Sequence, residues 1–97
     1  MQESINPNNP AKQYTGIWIP NHIIECDQLS PLEKICYGEI RNFEECKASN
    51  AWFAKRLNVH ESSAIKAIQH LIKLGFVEKL GFDGRIRTIR VREENQK

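Results

Sequence analysis

The sequence lacks any long apolar run, and nothing in it approaches the roughly 18 consecutive apolar residues of a membrane span. Residues 1–13, MQESINPNNPAKQ, hold neither a basic n-region nor an apolar stretch, so they do not read as a signal peptide. The expected location is therefore the cytoplasm. Cysteine is sparse: Cys26, Cys36 and Cys46 form no Cys-x-x-Cys pair and have no His pair beside them. They read as reduced thiols, with Cys36 in a core. His22, His60 and His70 are far apart and lack ligand spacing, so no metal is expected. No carboxylate pair, nucleophile–base set or phosphate-cradling loop is present, and GFDG at 81–84 is too short for the last of these. The expectation is a protein that is not an enzyme and needs no cofactor.

A strong overall charge is missing too. The 97 residues carry a net +2. The halves differ, however. Residues 1–50 hold four Lys/Arg against seven Asp/Glu, and residues 51–97 hold ten against five. A near-neutral chain with one basic half suggests one face suited to a polyanion.

The length fits one domain with a modest core. Residues 1–13 are polar and aperiodic and read as a flexible arm. The domain spans 14–92, and 93–97 form a polar tail. YTGIWI at 14–19 suits a short strand or extended segment. Pro20 opens a helical turn with Ile23 and Ile24 facing a core. Ser30-Pro31-Leu32-Glu33 is a helix start: a cap, a proline at the first helical position and a capping-box glutamate. Leu32, Ile35, Cys36, Ile40 and Phe43 recur at helical steps, which predicts a helix to about Glu45. Glu33, Lys34, Arg41 and Glu44 form its solvated side.

Ser49 caps a second helix over 50–57, with Phe53, Ala54 and Leu57 inward. Asn58 breaks it, being tolerant of the left-handed conformation. Val59 plugs the turn. A third helix runs from Glu61 to about Leu74, with Ala64, Ile68, Leu71 and Ile72 on one face. Gly75 stops it. Phe76 to Leu80 reads as a strand, 81–84 as a turn marked by Asp-Gly, and RIRTIRVR at 85–92 as the returning strand. The alternation slips at Thr88-Ile89, which suggests a bulge or a change of twist. The fold class is α+β, mainly α: a winged helix-turn-helix with a three-helix core and a C-terminal β-hairpin wing.

Four segments carry a resemblance: IPN at 19–21, LSPLEKICYG at 29–38, SNAWFAKRLNV at 49–59 and AIQHLIKLGFV at 67–77. Together they resemble the winged helix-turn-helix of replication initiator and replisome-organiser proteins of phages, plasmids and other mobile elements. The resemblance covers about residues 17–92. It implies DNA binding in a replication setting. Members usually have Gly where this chain has Asn58, Ser or Thr where it has His60, and often Arg or another polar residue where it has Ile65. Ile65 lies at the edge of the apolar face, as core or as a contact to a thymine methyl.

On this reading the recognition helix offers Ser62, Ser63, Lys66, Gln69, His70 and Lys73. Ser49 and Asn50 would meet phosphate at a helix N-terminus. The wing offers Lys79, Arg85, Arg87, Arg90 and Arg92, opposed by Asp83 alone, a ribbon able to follow a phosphate backbone. Alternation puts Arg85 and Arg87 on one face, and Arg90 and Arg92 together after the slip. The plainer reading of these arginines is a solvated edge strand that blocks aggregation. Phe82 at the tip either folds back onto the small core, the commoner outcome, or wedges or stacks on a base. Core or edge packing is expected for Trp18, Tyr37 and Trp52, with Trp52 beside the buried face and open to a partner.

Duplex DNA is the leading partner. Alternatives are single-stranded DNA held by the wing, a transcriptional repressor or excision regulator, and a module docking a helicase, primase or polymerase.

Overall fold

The computed structural model describes residues 16–92. The expected arm, tail and Tyr14 lie outside them. Within the domain the elements run α1 (Asn21–Ile24), α2 (Pro31–Arg41), α3 (Asn50–Leu57), α4 (Glu61–Lys73), β1 (Val77–Asp83) and β2 (Ile86–Val91). α4 packs against both α2 and α3, and the β1–β2 hairpin leans on α2 and α4. The chain is a winged helix-turn-helix, mainly helical.

Local chemistry fixes most boundaries. Ser30 Oγ accepts from the Glu33 amide at 3.2 Å, and Glu33 Oε1 accepts from the Ser30 amide at 2.9 Å. This is the capping box, with Pro31 in the first turn. α3 begins where Ser49 Oγ accepts from the Trp52 amide at 3.0 Å. It ends at Asn58, which takes the left-handed conformation at φ 58°. The Val59 amide donates back to Ala54 O at 3.0 Å, so the turn closes its own orphan carbonyls. α4 closes the same way: Gly75 has φ 88°, and the Phe76 amide donates to Leu71 O at 3.0 Å. His60 at the α4 N-cap makes no side-chain cap hydrogen bond.

The core joins all layers. Ile23, Cys36, Tyr37, Ile40, Phe53, Ala64, Leu71 and Ile89 are fully buried, with Ala67, Ile68 and Val77 almost so. Gly38 belongs to this packing. A Cβ there would lie 2.9 Å from Ile17 Cδ1 and 3.0 Å from Ile19 Cγ1. The glycine therefore lets the segment before α1 lie flat on α2. That segment is irregular from Ile17 to Pro20, not a strand.

Several expectations need correction. α2 stops at Arg41, not near Glu45. Cys46 is needed elsewhere: its amide donates to Ile89 O at 2.7 Å, and its carbonyl accepts from the Ile89 amide at 3.0 Å. A helix reaching residue 45 would not deliver both groups to the wing. Cys46 is fully buried as a result, as is Cys36, and all three thiols are free.

Trp18 is 59% exposed, not core. Its neighbours Ile17 and Ile19 take the sites over Gly38, so alternation turns Trp18 outward, where the Arg41 guanidinium covers its ring at 4.6 Å. Ile24 and Ile35 are exposed as well, because Ile23 and Cys36 beside them hold the inward positions. Trp52 packs edge-on against Phe53 and Phe43, with centroids 5.0 and 6.1 Å away.

The hairpin turns one step later than expected. Gly81, Phe82 and Asp83 are strand, and Gly84-Arg85 forms the two-residue turn with φ 67° at Gly84. The irregularity does sit opposite Thr88-Ile89, but on the other strand. Lys79 pairs with Ile89 and Gly81 with Thr88, so Leu80 is the extra residue.

Candidate nucleic-acid interface

α4 buries Ala64, Ala67, Ile68 and Leu71. Opposite that face, Ser62, Lys66, Gln69 and Lys73 are all exposed. Their spacing of four, three and four residues keeps them in one row along the helix. None of the four side chains forms a hydrogen bond or ion pair with another described residue. Ser63 and Ile65 are half-buried at the margins of the row. His70 is turned away from it: its Nδ1 lies 2.8 Å from Glu33 Oε2, the same carboxylate that completes the α2 capping box. The pair ties α4 to the start of α2.

The wing is different. β2 alternates without interruption, so Arg87 shares the inward face with Ile89 and Val91. Its guanidinium donates to Asn50 Oδ1 and, at 3.3 Å, to Ala48 O. Burial lowers its pKa, partly offset by Cys46 nearby. Arg87 thus clamps the wing to the first turn of α3. Asn50 is engaged in that clamp, and Ser49 Oγ is engaged in its own cap. The expectation that Arg85 and Arg87 share a face is corrected: Arg85 sits in the turn and Arg87 points inward, because the slip lies in β1.

Arg90 and Arg92 do converge, as expected, but on a carboxylate. Arg90 Nε is 2.6 Å from Glu78 Oε2, and Arg92 Nε is 4.0 Å from Glu78 Oε1. Asp83 is therefore not the sole counter-charge. Glu78 stands directly across from Arg90 in the hairpin register. Lys79 and Arg85 remain exposed. Phe82 is 65% exposed and does not fold back. The inward positions that reach the core are Val77, Ile89 and Val91 near the hairpin base, and the tip extends past them.

A further pair escaped sequence reasoning. Glu39 in α2 is only 4% exposed and accepts from Arg56 Nε of α3 at 2.8 Å. Its position beside Ile40 gave the only hint, since Glu39 falls between inward residues of the α2 wheel.

A family model described as a helix-turn-helix domain matches residues 27–77. The chain belongs to this helix-turn-helix family. No curated protein and no solved structure matches it. The match takes in α2, α3, the Asn58-Val59 turn and α4, and it ends where β1 begins. The helix-turn-helix is a DNA-binding unit whose second helix enters the major groove while the first crosses the backbone. In this chain α3 is the first helix of the motif and α4 the second, and DNA is the partner the family supports. No helix among the described residues is long and apolar enough to cross a membrane.

Proposed function

We propose that this helix-turn-helix protein reads duplex DNA through α4 as part of the replication machinery of a phage, plasmid or other mobile element. One observation carries the duplex reading: Ser62, Lys66, Gln69 and Lys73 form an exposed, uncommitted row on the second helix of the motif. A groove-facing helix needs donors and acceptors that are not satisfied within the protein. Gln69 suits a bidentate contact to adenine, while Lys66 and Lys73 suit guanine or phosphate. The protein acts by binding and performs no catalysis. The replication setting rests on the resemblance of the 19–21, 29–38, 49–59 and 67–77 segments to mobile-element initiators.

On this reading four exposed cations meet phosphate: Lys66, Lys73, Lys79 and Arg85. If each releases one counterion, log affinity for duplex falls against log salt with a slope of about −3.6. Fluorescence anisotropy over a salt series measures it. A slope near zero overturns the phosphate contacts. Selection from a random duplex library tests the reading of sequence, and a protein that enriches no motif is not a sequence reader. A helicase or primase gene alongside supports replication, whereas a divergent promoter with an operator supports repression.

A further inference from the structure

The wing tip collects apolar surface that the fold does not use. Leu80, Phe82 and Ile86 are 41%, 65% and 49% exposed. They lie within seven residues of a tip that also carries Lys79 and Arg85. Such exposure is unfavourable in water, at about 25 cal/mol per Å² of apolar surface. A solvated edge strand would place polar side chains at these sites.

The tip is also firmly mounted. Arg87 fastens the inward face to Asn50 and Ala48, and Cys46 pairs through both backbone groups with Ile89. Cys46 thereby adds an isolated bridge to the base of the two-stranded hairpin, and the apolar tip is held out from it.

The chemistry of the tip selects among partners. Lys79 Nζ lies 5.3 Å from the centroid of the Phe82 ring. The ring thus has a cation beside it and an apolar surface open to stacking. Asp83, the one carboxylate at the tip, pairs across from Ile86, on the other face from Phe82 and Arg87. An aromatic ring with an adjacent cation matches a nucleobase and its phosphate.

We propose that Phe82 stacks on an unpaired base beside the duplex, so that the preferred ligand is a junction between duplex and single strand. This rests on the duplex reading of α4 and adds the ligand's shape: α4 holds the paired arm, and the wing tip meets the first unpaired bases.

The test compares three DNAs of mixed sequence: a blunt duplex, the same duplex with a run of unpaired thymines at one end, and the single strand alone. Anisotropy titrations are run on the intact chain at one salt concentration. The tailed duplex should bind about fivefold more tightly than the blunt one, the low end of one stacked base. In Phe82→Ala that ratio should fall to about one, and in Phe82→Trp it should persist. The ring is mostly solvent-exposed, so the truncation leaves the core intact.

Equal affinity of the wild type for tailed and blunt duplex overturns the proposal and leaves the α4 reading standing. A preference that survives in Phe82→Ala overturns the role of the ring. Single strand bound as tightly as the tailed duplex overturns both the junction and the α4 reading. A tail preference lost only in Phe82→Ala supports the proposal.

Discussion

The recognition helix and the wing carry opposite arrangements of charge. α4 has only two lysines in its exposed row, Lys66 and Lys73, and both are unengaged among the described residues. The wing region has five cations, but Arg87 is locked into the α3 clamp, and Arg90 and Arg92 share Glu78. Counted by sequence the wing dominates. Counted by available charge, Lys79 and Arg85 at the wing merely equal the helix. An arginine in a small domain is as readily a structural donor as a ligand for phosphate, because its planar fork satisfies several acceptors at once.

The sharpest way to break this contrast is at Arg87. If it is a clamp, Arg87→Ala destabilises the fold by about 3 kcal/mol, since charged hydrogen bonds are lost and the Asn50 and Ala48 oxygens go unpaired. Urea denaturation at neutral pH measures this. Arg87→Lys should restore little, because a single ammonium does not reproduce the fork. Unchanged stability in Arg87→Ala would return this residue to the list of phosphate ligands.

On the helix side the expectation reverses. Lys66→Ala with Gln69→Ala should leave the unfolding free energy within about 0.5 kcal/mol, because both side chains are exposed. Discrimination between preferred and scrambled duplex should drop by about 2 kcal/mol. Competition binding reads that difference. A variant that keeps its preference points away from direct reading by α4.

The contrast was only partly legible in the sequence, and the reason is physical. Signals that act within one turn of chain were readable: the Ser30 and Ser49 caps, the left-handed Asn58, the Gly75 stop and the buried face of α4. Each depends on neighbours three to five residues away. Features that depend on distant partners were not. The end of α2 is set by Cys46 pairing with Ile89, forty-three residues later. The fate of the wing arginines depends on hairpin register. The slip at Thr88-Ile89 was visible as broken alternation, yet two strands meet there and the sequence does not say which one bulges. Core or edge packing both suited Trp18, and the core alternative fails because Gly38 reserves the inward sites for Ile17 and Ile19.

The thiols beneath the two regions give a pH test. Burial, with Glu39 and Glu33 nearby, pushes the Cys36 thiol from 9.0 up to about 12. A raised folded-state value means that stability is fully present below the ordinary thiol value and is lost as pH climbs toward the raised one. The Cys36 contribution should therefore fall by up to about 1.4 kcal/mol per pH unit above pH 9. Denaturation curves at pH 7 and in the alkaline range, compared with Cys36→Ala, isolate this group. The variant should show the shallower decline, and identical declines would mean that the thiol titrates normally.

The smallest expected effect discriminates best. Glu78 holds Arg90 and Arg92, and its side chain is one-third exposed, so the ion pairs contribute little to stability. Glu78→Gln removes the counter-charge and keeps the side chain's size. Folding should change by less than about 1 kcal/mol. DNA affinity at low salt should rise several-fold, because Arg90 loses its carboxylate partner and becomes available to phosphate. The salt slope should steepen by about 0.9, the increment for one released cation. If affinity and slope stay as they were, Arg90 and Arg92 face away from DNA and the wing contributes only its tip. If both rise, Glu78 limits nonspecific binding to the backbone and leaves discrimination to the row on α4.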